Sequence, residues 1–161
     1  LSKNKTALDI GCREGFQSKW LEKKGYDTTS IDIEKRYNKC LIVNANNNLP
    51  FENNQFDLIY SYSVFTHLSE ENHIAWLKEM ERILKPGGVM IHSVKSYEFV
   101  RRAKLFSPKN LSLYNLSGSL PEFEVKHPYH HIIGSSKRPE YGSTIISRKY
   151  IQKRFQRLPS V

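Results

Sequence analysis

The sequence is poor in the features that mark unusual scaffolds. Its 161 residues hold two cysteines, Cys12 and Cys40, too few for a disulfide framework or a zinc site of their own. The expectation is a pair of reduced thiols in a cytoplasmic protein. No apolar run reaches the ~18 residues a membrane-spanning helix needs, so no membrane span is expected. No basic-then-apolar leader precedes the first apolar segment, and secretion finds no support. There is no internal repeat, and the only biased stretch, Asn44-Ala45-Asn46-Asn47-Asn48, is too short to be low complexity. What remains is ordinary: 39% hydrophobic and 25% charged residues, in a length that makes one domain with a core.

Acidic residues are scarce in one region only. Residues 1–100 carry 13 basic and 13 acidic side chains, whereas residues 101–161 carry 12 and 3, so the whole formal charge of +9 sits in the second segment. Such a field attracts anions.

Strand and helix signals alternate over residues 6–94. Thr6-Ala7-Leu8-Asp9-Ile10 is a short apolar run ending at glycine, which predicts a buried strand. Phe16, Trp20 and Leu21 follow at helical spacing, with Gly25 as the stop. Residues 28–33 are β-branched, and residues 40–43 and 56–61 are apolar; all three read as strands. Leu49-Pro50 and Asn53-Asn54 mark a loop. Ser69, Glu70 and Glu71 open a helix whose apolar stripe is Ile74, Leu77, Met80, Ile83 and Leu84. Lys85-Pro86-Gly87-Gly88 ends it, and residues 89–94 are the next strand. Strands alternating with helices predict an α/β fold, a doubly wound and mostly parallel sheet with helices on both faces. Beyond residue 95 the period is lost, except for helices expected near 98–106 and 150–157 and an apolar segment at 144–146. The chain starts almost on its first strand and stops just after a helix, and the expectation is a piece of a longer protein that lacks a C-terminal strand pair.

The chemistry-bearing residues cluster at strand ends. Asp9-Ile10-Gly11-Cys12-Arg13-Glu14-Gly15 links the first strand to the first helix, where glycines allow a tight turn and close backbone approach. Asp32 closes the second strand, where a carboxylate can accept both hydroxyls of a ribose. These two features alone fit any nucleoside cofactor, a nicotinamide dinucleotide included.

The full series narrows this. The glycine turn, Ser30-Ile31-Asp32, Leu49-Pro50-Phe51, residues 56–61, Ser63-Val64-Phe65-Thr66-His67-Leu68 and Leu84-Lys85-Pro86-Gly87-Gly88 together resemble the class I S-adenosylmethionine-dependent methyltransferases, a Rossmann-like family, and within it the small-molecule and glycan-type branch. The resemblance implies S-adenosylmethionine as cofactor. It implies that Gly11, Cys12 and Gly15 line the methionine end, while Asp9 orients the turn or reaches the amino group through water. Asp32 would hold the ribose and Ile33 the adenine. Asn44, Ala45 or Asn46 stands where the family has an acidic residue near the adenine amino group, and an amide can still accept a hydrogen bond. Ser61 and Tyr62 would offer backbone groups to the amino-acid moiety. Arg13 departs from the family, which has a glycine there; a left-handed backbone at a residue with a side chain costs ~1–2 kcal/mol. Either the turn is reshaped or Arg13 points outward over the cofactor.

His67, just past the fourth strand, is the candidate general base for a hydroxyl acceptor; packing beneath the next helix is the competing role. His127, His130 and His131 lack metal-ligand spacing and read as a surface or substrate-facing cluster, so no metal is expected. The implied acceptor is a small molecule or glycan held by residues 95–142, anionic if Arg101, Arg102, Lys104, Lys137, Arg138, Arg148, Lys149, Lys153, Arg154 and Arg157 face it. The same residues also fit a solvated surface or a nucleic-acid footprint, making an RNA methyltransferase the alternative. A third reading is an inactive methyltransferase-like interaction module.

Overall fold

The structure is a computed structural model that describes residues 5–43, 48–106, 120–133 and 142–155. It falls into two compact units, one of residues up to 65 together with 71–93, the other of residues 66–70 and those from 94 onward.

The first unit is an α/β layer structure. Strands β1 (Thr6–Ile10), β2 (Asp27–Asp32), β3 (Cys40–Ile42), β4 (Phe56–Ser61) and β5 (Leu84–His92) form one sheet in the order β3-β2-β1-β4-β5. All four pairings are parallel. β1 lies at the centre, so its near-continuous apolar run is buried on both faces, as parallel central strands require. The strand order reverses between β1 and β4, the switch point of such sheets, and ligands bind outside the carboxyl ends of strands at that point.

Helix α1 (Phe16–Lys23) starts at Gly15 and ends in a Schellman turn. The Tyr26 N–H donates to the Leu21 carbonyl, and the Gly25 N–H to that of Glu22. Gly25 holds the left-handed position, φ 86°, as its place past the apolar spacing predicted. The stripe itself is a correction. Only Ser18 and Leu21 of α1 are buried, whereas Phe16 and Trp20 are 71% and 58% exposed. A polar contact, described below, orients this helix.

Helix α2 (Glu70–Ile83) buries His73, Trp76, Leu77, Met80 and Ile83. The stripe therefore includes His73 and Trp76, while Ile74 is half-buried. Leu84 is a second correction: it is the first residue of β5 and pairs with Phe56. The register then jumps, with Leu58 opposite Val89, so Lys85-Pro86-Gly87-Gly88 bulges out of the strand with Gly87 at φ 74°. Proline donates nothing to a ladder, and a bulge on an edge strand tolerates it. The side chains of Leu8, Ile59, Met80 and Ile83 are fully buried, each contributing ~1.5–3 kcal/mol.

The second unit contains α3 (Tyr97–Phe106), α4 (Leu120–Lys126), α5 (Arg148–Phe155) and a two-stranded antiparallel sheet of β6 (Tyr129–Ile133) and β7 (Gly142–Ile146). Tyr97, Val100, Phe123 and Ile145 form its core. α3, α5 and the apolar segment of β7 occupy the places the sequence pointed to, while α4 and β6 lie in a stretch without legible period. No helix of the described residues is long and apolar enough to cross a membrane.

Candidate functional site

The glycine turn sits on the carboxyl edge of the first unit's sheet, and its backbone is left-handed at three residues: Gly11 (φ 76°), Arg13 (φ 45°) and Gly15 (φ 76°). A Cβ on Gly11 would lie 2.4 Å from a methyl of Val64, in the loop after β4. One on Gly15 would lie 2.7 Å from the Tyr37 ring. Both glycines are therefore required by close packing as well as by conformation. Arg13 adopts a left-handed angle although it carries a side chain, and that side chain is exposed.

Asp32 offsets the strain at Arg13. Its Oδ2 accepts the Arg13 amide at 2.9 Å and its Oδ1 accepts the Glu34 amide at 3.2 Å. The carboxylate thus faces the turn from the next strand, half-buried. Each oxygen retains acceptor capacity beyond these single bonds. Ile33 beside it is 45% exposed, an apolar surface next to a carboxylate.

Asp9 has a different place. It is buried, and its Oδ2 accepts the Ser18 hydroxyl at 2.5 Å, while Ser18 accepts the hydroxyl of Ser30 at 2.7 Å. The Ser18 amide also donates to Asp9. Ser18 is in the first turn of α1, so Asp9 caps that helix from inside the sheet, and this contact orients α1. Burial raises the Asp9 carboxyl above its ordinary value, and the Ser18 bonds pull it back.

Four amides of the turn are committed within the protein. Those of Gly11 and Cys12 both donate to the Ile31 carbonyl (2.8 and 3.1 Å), that of Arg13 to Asp32, and that of Gly15 to the Cys12 carbonyl (2.7 Å). A dinucleotide fold needs such amides for its pyrophosphate. With those four taken, this turn has few amides left for a pyrophosphate, which counts against a nicotinamide dinucleotide. The Cys12 thiol is buried with Tyr37 and Cys40. Both thiols are free, and burial pushes that of Cys12 up.

Along the same carboxyl edge, Ser61 and His92 are register partners at the ends of β4 and β5. Ser61 Oγ and His92 Nδ1 are buried with no hydrogen-bond partner among the described residues. Such atoms are expected to meet water or a ligand. The Ser61 carbonyl accepts the Ser93 amide at 3.1 Å, and Tyr62 is 61% exposed. The Phe65 ring packs between His73 (4.5 Å) and His92 (4.7 Å). Burial pushes both imidazoles below the ordinary histidine value, His73 to about 3. Glu79 and Arg82 of α2 clamp the loop at 49–53: Glu79 accepts the Leu49 amide (2.9 Å), and Arg82 donates to the carbonyls of Phe51 (2.9 Å) and Leu49 (3.2 Å). Asn44, Ala45 and Asn46 lie outside the described residues.

In the second unit, His67 Nδ1 lies 2.7 Å from the Gly142 carbonyl. His127 and His130 flank the Phe123 ring at 4.4 and 4.9 Å, and His131 meets Thr144. No cluster of His, Cys, Asp or Glu among the described residues could hold a metal ion. Arg101 and Arg102 pair with Glu98, and Arg101 also approaches Glu124. Helix α5 has no acidic residue, and its Arg148, Lys149, Lys153 and Arg154 are exposed. Lys137, Arg138 and Arg157 lie outside the described residues.

Sequence reading missed Ser18, Ser30, Tyr37 and Val64. Ser30 and Val64 lie inside the motif series but without a role of their own there; for Ser18 the signal was a serine in the first turn of a helix after a buried strand aspartate.

A family model described as "Methyltransferase domain" matches residues 8–92, more than half of the chain, and the chain belongs to that family. It is similar to the malonyl-[acyl-carrier protein] O-methyltransferase 1 of Coxiella burnetii, 32% identical over 93 residues, covering 53% of this chain and 32% of the relative. It is also similar to the probable tRNA methyltransferase 9B of Homo sapiens, 32% identical over 144 residues, covering 76% and 31%. A solved structure described as a SAM-dependent methyltransferase, from Methanosarcina mazei, superposes with a TM-score of 0.64 at 19% identity, covering 94% of this chain and 77% of the other. The chain spans about half the length, or less, of the curated relatives it matches.

Proposed function

We propose that this domain is an S-adenosylmethionine-dependent methyltransferase acting on a hydroxyl of a small molecule or glycan. The observation that carries the cofactor assignment is the Asp32 carboxylate, turned toward the glycine turn and holding the Arg13 amide. Asp32 accepts the two ribose hydroxyls, and Ile33 packs on the adenine. Gly11, Cys12, Arg13 and Gly15 give the methionine portion a close-fitting backbone with carbonyl acceptors for its ammonium group. Asp9 sets the turn through Ser18 rather than by direct contact. Ser61 and Tyr62 bound the amino-acid end, and Asn44, Ala45 and Asn46 are the proposed adenine contacts. The orphaned Ser61 hydroxyl on the same edge supports a polar ligand there.

Bound S-adenosylmethionine supplies a methyl group already electrophilic through its sulfonium. The protein's work is alignment and exclusion of water, which supplies ~7–11 kcal/mol in well-oriented reactions. His67 is the base that takes the acceptor's hydroxyl proton. The two buried thiols fit a reducing, cytoplasmic setting.

A second reading is an RNA methyltransferase, favoured by the four exposed cations and absent acids of α5 and by the relative named for tRNA. Its RNA affinity would fall steeply with salt. Isothermal titration of the folded chain with S-adenosylmethionine and S-adenosylhomocysteine tests the main reading. Saturable binding of both is expected. No heat from either leaves only a methyltransferase-like interaction module.

A further inference from the structure

The hydrogen bonds around His67 fix where its proton sits. A carbonyl oxygen only accepts, so the 2.7 Å contact from His67 Nδ1 to the Gly142 carbonyl requires a proton on Nδ1. In the neutral ring, Nε2 is then the nitrogen that can take a proton. The same logic fixes the neighbouring groups. Thr144 Oγ1 lies 2.5 Å from the Leu68 carbonyl, so the hydroxyl proton points there. His131 Nδ1, 2.7 Å from that hydroxyl, must then be the donor. Tyr129 Oη donates to the Leu68 carbonyl as well, at 3.1 Å. Glu70 is held by the Tyr150 hydroxyl. Residues 66–70 are thus fastened to the β6–β7 hairpin and α5, and Thr144, fully buried, is the joint of the chain His131 to Thr144 to Leu68.

We infer that Thr144 is a positioning residue for His67. By fastening Leu68 to β7, two residues along the strand from Gly142, it holds the imidazole where the Gly142 carbonyl captures Nδ1–H, and Nε2 is the proton acceptor. The hairpin is therefore part of the proton-transfer apparatus. This rests on His67 being the base, as proposed above. His131 acts one step further out, by keeping the Thr144 hydroxyl turned toward Leu68. An orientation of this kind is how a general base is kept in its productive tautomer.

The test is nitrogen-15 NMR of histidine side chains in the full chain at a pH where the rings are neutral. Peaks are assigned with His67→Asn and His131→Asn. Wild type and Thr144→Ser should show His67 and His131 protonated on Nδ1. Thr144→Val, which keeps the shape but neither donates nor accepts, should lose the slowly exchanging Nδ1–H signal of His67. Affinity for S-adenosylhomocysteine should stay within about twofold of wild type across the series, a bound set well below the tenfold step of 1.4 kcal/mol. A proton on Nε2 of His67 in wild type overturns the inference, as does an unaltered His67 signal in Thr144→Val. Should Thr144→Val fail to fold, His131→Phe removes the outer donor; an unchanged Thr144–Leu68 bond and His67 signal there would refute its share. His67→Asn can still donate to Gly142 but cannot take a proton. If it methylates an acceptor as fast as wild type, the base reading fails while the tautomer result stands.

Discussion

Replacing Asp32 is the sharpest perturbation of the proposed cofactor site. Asp32→Ala removes the acceptor for the Arg13 amide at 2.9 Å and for the Glu34 amide at 3.2 Å. It also removes the carboxylate proposed to take two ribose hydroxyls. Hydrogen bonds to a charged group contribute ~1.5–3 kcal/mol each. Asp32 is half-exposed, which puts the pair near the bottom of that range, ~3 kcal/mol in total. Such a loss weakens binding ~100-fold. The left-handed Arg13 also loses its tie, so the turn itself is less well held. Asp32→Asn separates the two effects. Its amide oxygen can still accept the Arg13 N–H, but the charge is gone, and an intermediate loss of ~10-fold is expected. Isothermal titration with S-adenosylhomocysteine, on samples shown by circular dichroism to be folded, reads all three proteins. An affinity in Asp32→Ala indistinguishable from wild type would refute the ribose role.

Arg13→Gly should stabilise the domain. It relieves ~1–2 kcal/mol of left-handed strain against ~0.4–1 kcal/mol of added unfolded-state freedom, a net gain of up to ~1.5 kcal/mol that thermal denaturation would show as a higher Tm; a lower Tm would mean the Arg13 side chain makes a stabilising contact. Asp57 governs acid stability at the opposite edge of the sheet. The Lys85 ammonium at 2.7 Å, with the Thr6 amide, holds its carboxyl at about 2, below the ordinary 3.8. Its contribution is therefore complete above the ordinary value and is lost as pH falls from about 4 toward 2. Asp57→Asn should cost ~1 kcal/mol at neutral pH and flatten the acid limb of a Tm-versus-pH curve. An equally steep limb in the variant would place the acid sensitivity elsewhere.

The elements that frame the proposed cofactor site were legible because their determinants are local. A strand ending in glycine, a helix stop and an acidic residue closing the next strand are each short-range chemistry; β1 and β4 formed where apolar runs lay between turn signals, and β2 at the β-branched segment. The helix stripe of α1 misled for a physical reason. Phe16 and Trp20 have helical spacing, but the helix is fixed by Asp9 bonding Ser18, and polar caps leave no periodic trace. Leu84 misled because a helix and a strand meet there without a linker, and the apolar residue fits either period. The Pro-Gly-Gly stretch was a bulge within a strand, which a turn signal cannot distinguish from a linker.

What the sequence determined alone is the alternation of strands and helices, the carboxyl-edge glycine turn and the acid one strand over, since backbone propensity and periodic burial act over a few residues. What the tertiary structure decided is which of those groups meet. Arg13 keeps a left-handed angle because Asp32, 19 residues on, takes its amide. His67 has a defined tautomer because Gly142, 75 residues on, supplies a carbonyl. Bonds between residues so far apart depend on the packing of whole elements, and no local pattern encodes them.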